Sequence, residues 1–267
     1  MRRWWSRRGL LAAVAAAVPL LAIGLFLVLD DDEPSPLLLL QAPRDPVLPD
    51  LRMPRLTELI VGKSQSGTNF GLLFTASIAN AGPGAFVLRA VAADSDHWRV
   101  TQRFRERNGR LSEIPIPGRL VFGGHGHDHW HIQLGATYEL RRLPGGRVVR
   151  RYAKVGYCFF DQLQIRKRAA KPRFARTTCG TRGMRVVTMG LSPGWSDPYQ
   201  WTLPDQRLDI TGLPAGRYRL YARADPGGWF RETNERNNDT WVDIVLTLAG
   251  RLPKVKVVAV GPHLRTG

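Results

Sequence analysis

The chain has 267 residues, which favours one large or two small domains, and 43% hydrophobic with 23% charged residues excludes wholesale disorder. Its 27 glycines and 19 prolines favour a turn-rich β fold over a helical bundle. Thirty-nine Lys+Arg against 22 Asp+Glu leave a net charge of +17, a surface that attracts anions.

That charge lies after residue 33, because Arg2, Arg3, Arg7 and Arg8 cancel Asp30, Asp31, Asp32 and Glu33. Residues 1–8 form a basic N-terminus, and residues 9–29 are an unbroken apolar run. As a helix that run would be roughly 31 Å long, about the thickness of a bilayer's hydrocarbon core. Arginines before it and acids after it place the N-terminus in the cytoplasm. A single N-terminal transmembrane signal anchor is favoured over a cleaved signal peptide, since the small residues Ala15–Ala17 come too early for a cleavage site. Cleavage would make the protein secreted. Ser6-Arg7-Arg8 also fits a twin-arginine export signal.

The rest is then extracytoplasmic at the cell membrane, where disulfides persist. Cys158 and Cys179 are the two cysteines, and paired they would contribute on the order of 3 kcal/mol. Anionic cell-surface polymer or lipid is the expected partner of the basic surface; nucleic acid is not.

Residues 30–46 read as a Pro-punctuated linker, 47–249 as the domain and 250–267 as a C-terminal tail. Leu72, Phe74, Ala76 and Ile78 share one face of a strand that ends at Asn80-Ala-Gly-Pro-Gly84. Residues 137–143 and 147–159 flank Pro144-Gly-Gly146, a hairpin signal. Residues 166–176 are a basic insertion, read as an exposed loop. Tyr218, Leu220, Ala222 and Ala224 alternate with polar residues, as in a half-buried strand. The fold class expected is mainly β, a compact β-sandwich-like domain behind the anchor.

Four of the six histidines fall at positions 125, 127, 129 and 131. In a strand, His127, His129 and His131 would face one way, and three imidazoles suit Cu(II) or Zn(II). A flat strand would separate the outer two by about 13 Å, so the segment must bend. Gly123, Gly124 and Gly126 give it that freedom. A polar strand face without metal is the bland alternative.

Here the sequence resembles the lysyl oxidase family. The likeness is carried by His127-Asp-His-Trp-His131 with Tyr138-Glu-Leu140, by Lys154-Val-Gly-Tyr-Cys158 with Asp161, and by Gly190-Leu-Ser-Pro-Gly-Trp-Ser-Asp-Pro-Tyr199. Leu48-Pro-Asp-Leu51 and Glu232-Thr-Asn-Glu-Arg-Asn-Asn238 complete it. The resemblance implies an amine oxidase that turns primary amines, including protein lysine, into aldehydes with O₂. His127, His129 and His131 would hold copper, and Lys154 and Tyr199 would become the lysine tyrosylquinone. Asp161 and Asp197 are the candidate bases, though either could equally hold a turn. Asp50, Leu51, Glu232, Asn234, Asn237 and Asn238 match a calcium site of the family, with an asparagine-rich turn without metal as the rival. Asn234 stands where the family has an acid. Two other function classes compete. One is a non-catalytic β-sandwich adhesion or wall-binding module, which needs none of these residues. The other is a zinc hydrolase, for which no acid–base arrangement is visible.

Overall fold

The computed structural model describes residues 43–63, 69–94, 97–123, 128–153, 156–203, 206–248 and 252–266. The expected anchor at 9–29 lies outside them. Among the described residues there is no α-helix, and no helix is long and apolar enough to cross a membrane. The fold is mainly β.

The first sheet is organised by an eleven-residue strand, β3 (Phe70–Asn80), whose alternating apolar residues are buried as expected: Leu72, Phe74, Ala76 and Ile78 are each at most 1% exposed. β1 (Leu51–Arg52) and β2 (Thr57–Lys63) pair with β3, as do β13 (Trp195–Tyr199) and β14 (Arg207–Asp209). β11 (Leu163–Gln164) continues the sheet beyond β13. Another sheet runs β12 (Val186–Leu191), β4 (Phe86–Ala92), β5 (Trp98–Arg105), β6 (Leu111–Pro115). A short ribbon pairs β7 (Leu120–Phe122) with β8 (Trp130–Ile132).

The remaining sheet runs β10 (Arg147–Ala153), β9 (Ala136–Arg142), β15 (Gly216–Ala224), β16 (Asp239–Thr247), β17 (Lys254–Val260). The β9–β10 hairpin turns at Pro144-Gly-Gly, where Gly145 and Gly146 have φ of 98° and 66°. Its second strand ends at Ala153, not at Phe159 as the pattern implied; beyond it Tyr157 makes only an isolated bridge to Ile132. β15 keeps the expected alternation, with Tyr218, Leu220, Ala222 and Ala224 fully buried.

Both expected domain boundaries need correction. Residues 250–267 are not a tail, because β17 forms the edge strand beside β16. The end of the expected linker is docked as well: Pro46 bridges Glu106, and the Arg44 N–H donates to the Glu106 carboxylate at 3.2 Å. The sheets share one core. Phe74 meets Tyr138 at 4.9 Å between ring centroids, and Phe86 meets Phe159 and Phe230 at 5.1 and 4.8 Å. Such apolar burial is the main stabilising term.

Candidate active site

Asp197 and Tyr199 are two apart on β13, so the pleat puts both on one face. Pro198 between them is tolerated because β11 pairs only with Trp195 and Ser196, leaving the later part of that edge without a ladder bond to lose. Both side chains are buried, at 1% and 7% exposure. The Tyr199 hydroxyl is hydrogen-bonded to the Asp197 carboxylate and accepts the Cys158 N–H at 3.0 Å. Burial and the Asp197 charge push the phenol well above its usual value, against the Cys158 N–H, so it is neutral at physiological pH.

Two further tyrosines, Tyr138 and Tyr157, stand in the quoted motifs without an assigned role and complete a buried aromatic cluster. The Tyr157 ring meets Tyr199 edge-on at 4.5 Å, and its hydroxyl lies 2.7 Å from that of Tyr138. Burial raises both phenols, Tyr138 to about 12 and Tyr157 well above the ordinary value.

His129 and His131 flank Trp130, so alternation sends both imidazoles to one side and the indole to the other. Their ring centroids are 4.5 Å apart and each residue is 7% exposed. Trp130 anchors the ribbon, donating Nε1–H to the Thr181 carbonyl and packing on Trp98. β8 covers only Trp130–Ile132, so the histidine run is not one flat strand. Two converging buried imidazoles fit a borderline metal such as Cu(II) or Zn(II). His127 and Lys154 lie outside the described residues. The chain just after Lys154 touches both halves of the site: a Cβ on Gly156 would sit 2.4 Å from the His131 Cβ, and Cys158 holds Tyr199.

A cleft of about 230 Å³ gathers His129, Asp197, Tyr199, Cys158 and Arg176. Cys158 is joined to Cys179, with a Cα–Cα distance of 5.8 Å. The expectation for Asp161 is corrected. It does not line the cleft; its carboxylate accepts the Arg173, Phe174 and Ser192 N–H groups and the Ser192 hydroxyl, at 2.7–3.1 Å. Those four donors fill its acceptor sites and make it the organiser of the loop after the basic insertion.

A family model described as lysyl oxidase matches residues 99–251. The chain belongs to the lysyl oxidase family. It is 30% identical over 155 residues to the protein-lysine 6-oxidase of Sus scrofa, covering 56% of this chain and 58% of that protein. It is 29% identical over 164 residues to that of Gallus gallus, and 30% over 150 residues to that of Bos taurus. The matched span is 36% and 33% of those two proteins, so the chain spans under two thirds of these relatives.

The other residues that the lysyl oxidase resemblance singles out meet where the domain's first strand passes the turn between β15 and β16. Glu232 takes the Leu51 N–H and the Asn238 side-chain amide, and Asn237 donates to Asp50 at 3.0 Å. The side-chain oxygens of Asn237 and Asn238 are buried and have no hydrogen-bond partner. Asp225, outside the quoted motifs, and Glu235, inside one but not singled out as a ligand, bring carboxylate oxygens within 4.8 Å of Glu232. Burial, Glu235 and Asp225 push Glu232 up to about 8, against the Leu51 and Asn238 donors. An all-oxygen set with idle acceptors fits a hard cation. Asn234 departs from the expectation: it is exposed and accepts the Arg236 N–H in a local turn.

Proposed function

We propose that this protein is a copper-dependent amine oxidase whose quinone cofactor is made from Lys154 and Tyr199, acting on primary amines with O₂. One observation carries the reading: a buried tyrosine, a buried aspartate and a histidine of the metal-type pair share one cleft. His127, His129 and His131 would hold the copper. Copper beside a phenol supplies the route to a quinone, and the quinone supplies an electron sink that natural side chains lack.

The chain's own groups have separate tasks. Cys158 N–H and Asp197 fix the Tyr199 oxygen from two sides, and the edge of Tyr157 sets the ring plane. Asp197 is the base that remains once Asp161 is assigned to the loop, and it faces the cleft where a substrate amine must arrive. The carbonyl-rich cluster at Asp50, Leu51, Glu232, Asn237 and Asn238 would hold calcium as a structural clamp. Residues 9–29 would anchor the domain on the outer face of the cell membrane.

The test is to load the protein with Cu(II) in air and map its peptides while measuring peroxide release from a monoamine. We expect a Lys154–Tyr199 cross-linked peptide, a quinone absorption band and peroxide. Active protein that yields both peptides unmodified would overturn the assignment.

A further inference from the structure

A second, larger concavity of about 550 Å³ lies between β5 and the end of the basic insertion. Its floor includes the buried rings of Phe104 and Phe174, and its lining carries Arg103, Arg105, Arg107 and Arg173. The acids in reach are already engaged. Glu113 is bonded to Arg103, Asp45 is paired with Arg107 at 3.4 Å, and Glu106 is bonded to Arg110. Arg105 gives one N–H to the Gly109 carbonyl, and the Arg173 guanidinium lies 5.7 Å over the Phe174 ring. Neither has a carboxylate partner among the described residues.

The groove and the cleft draw on one stretch of chain. Arg173 lines the groove and Arg176 lines the cleft, three residues further on. Three residues of fully extended chain span at most about 11 Å. We propose that the groove is an exosite that docks an acidic, partly apolar segment of a polypeptide whose lysine enters the cleft. This rests on the amine oxidase reading. Guanidinium forks match carboxylates, and the apolar lining of Val47, Pro83, Ala85, Val87 and Leu111 over those rings accepts apolar side chains. A glycan would leave that floor uncovered, and a lipid surface cannot enter a groove, so the polypeptide is favoured.

The test separates docking from chemistry by using a fluorescein-labelled peptide of alternating Glu and Leu that contains no lysine. Its anisotropy is read on the full-length protein in detergent. Losing two charge-assisted contacts through Arg105→Gln with Arg173→Gln should weaken binding about tenfold or more. Arg147→Gln with Arg217→Gln removes the same charge from exposed positions elsewhere and should weaken it less than about twofold. Equal loss in both pairs, no binding by the parent, or tighter binding of polygalacturonate than of the peptide would overturn the exosite. A protein that binds the peptide but releases no peroxide from any amine would instead refute the oxidase reading. In a protein active on amines, a lysine placed three or four residues from the acidic run should be oxidised faster than one in a neutral peptide, and that advantage should vanish in the groove variant.

Discussion

The cleft and the cluster between the first strand and the β15–β16 turn are both polar and largely buried, yet burial acts differently on them. In and behind the cleft it falls on the phenols of Tyr138, Tyr157 and Tyr199, which stay neutral inside a β core, and on one carboxylate, Asp197, whose charge helps to keep them so. At the other cluster it falls on the carboxylates of Asp225 and Glu232, which crowd within 4.8 Å of each other and of the exposed Glu235; backbone and amide donors relieve them in part, and protons or a cation would do so further. The cleft therefore carries a single buried acid among neutral rings. The carboxylate cluster ties the first strand to the β15–β16 turn and depends on what neutralises it.

The largest effect that distinguishes the two should come from Tyr199→Phe. The ring and its contact with Tyr157 remain, but the oxygen is gone. Peroxide release should fall by about 10³-fold or more, equivalent to about 4 kcal/mol. Stability should fall less steeply, by about 2–3 kcal/mol as read by urea unfolding, because the Cys158 N–H and the buried Asp197 carboxylate both lose their partner. Activity that survives this change would remove the cleft from the chemistry.

Replacing both Cys158 and Cys179 by Ser should cost about 3 kcal/mol in unfolding free energy. Because the Cys158 N–H holds the Tyr199 oxygen, the loss should also lower activity in protein that is still folded. Glu232→Ala comes next. It strands the Leu51 N–H and the Asn238 amide inside the protein, at about 2 kcal/mol, and should leave peroxide release per folded molecule intact. Adding calcium should raise the melting temperature of the parent but not of this variant, since a ligand stabilises only the state that binds it. A calcium response that survives Glu232→Ala would place the cation elsewhere.

The strands were legible because a two-residue period reports burial directly. Leu72 to Ile78 and Tyr218 to Ala224 alternate in sequence and are buried in that order. Residues 254–257 alternate Lys with Val as well, but the motif-based boundary stopped short of them. Which acid serves the cleft was not legible. Asp161 and Asp197 both stand in motif positions, and only the donors around each distinguish a loop organiser from a cleft group. Tyr138 and Tyr157 are 19 residues apart and meet through their hydroxyls, a pairing that no local pattern encodes. Asp225 and Glu235 join Glu232 only because the turn folds back, whereas Asn234 satisfied the spacing and points to its own loop.

The smallest effect calibrates the comparison with a carboxylate that belongs to neither region. Glu139 on β9 sits opposite Arg151 on β10 and next but one to Arg141, and both guanidinium groups donate to it. Partial burial works to raise its pKa, but the hydrogen bonds and charges of Arg141 and Arg151 prevail and hold it below 4.5. A carboxylate held low in the folded state contributes stability that is complete above its unfolded pKa and disappears as pH falls through the folded value. The arginines are 36% and 66% exposed, so solvent screens the triad and its contribution stays under about 1 kcal/mol. Glu139→Gln should therefore lower unfolding stability slightly at pH 7, and the gap to the parent should close as the pH drops below about 4.5. About 0.5 M salt should narrow it at neutral pH too. A gap that stays constant from pH 7 to pH 3 would mean that Glu139 acts through packing and not charge. The contrast between a screened surface acid and the crowded Glu232 cluster would then need another basis.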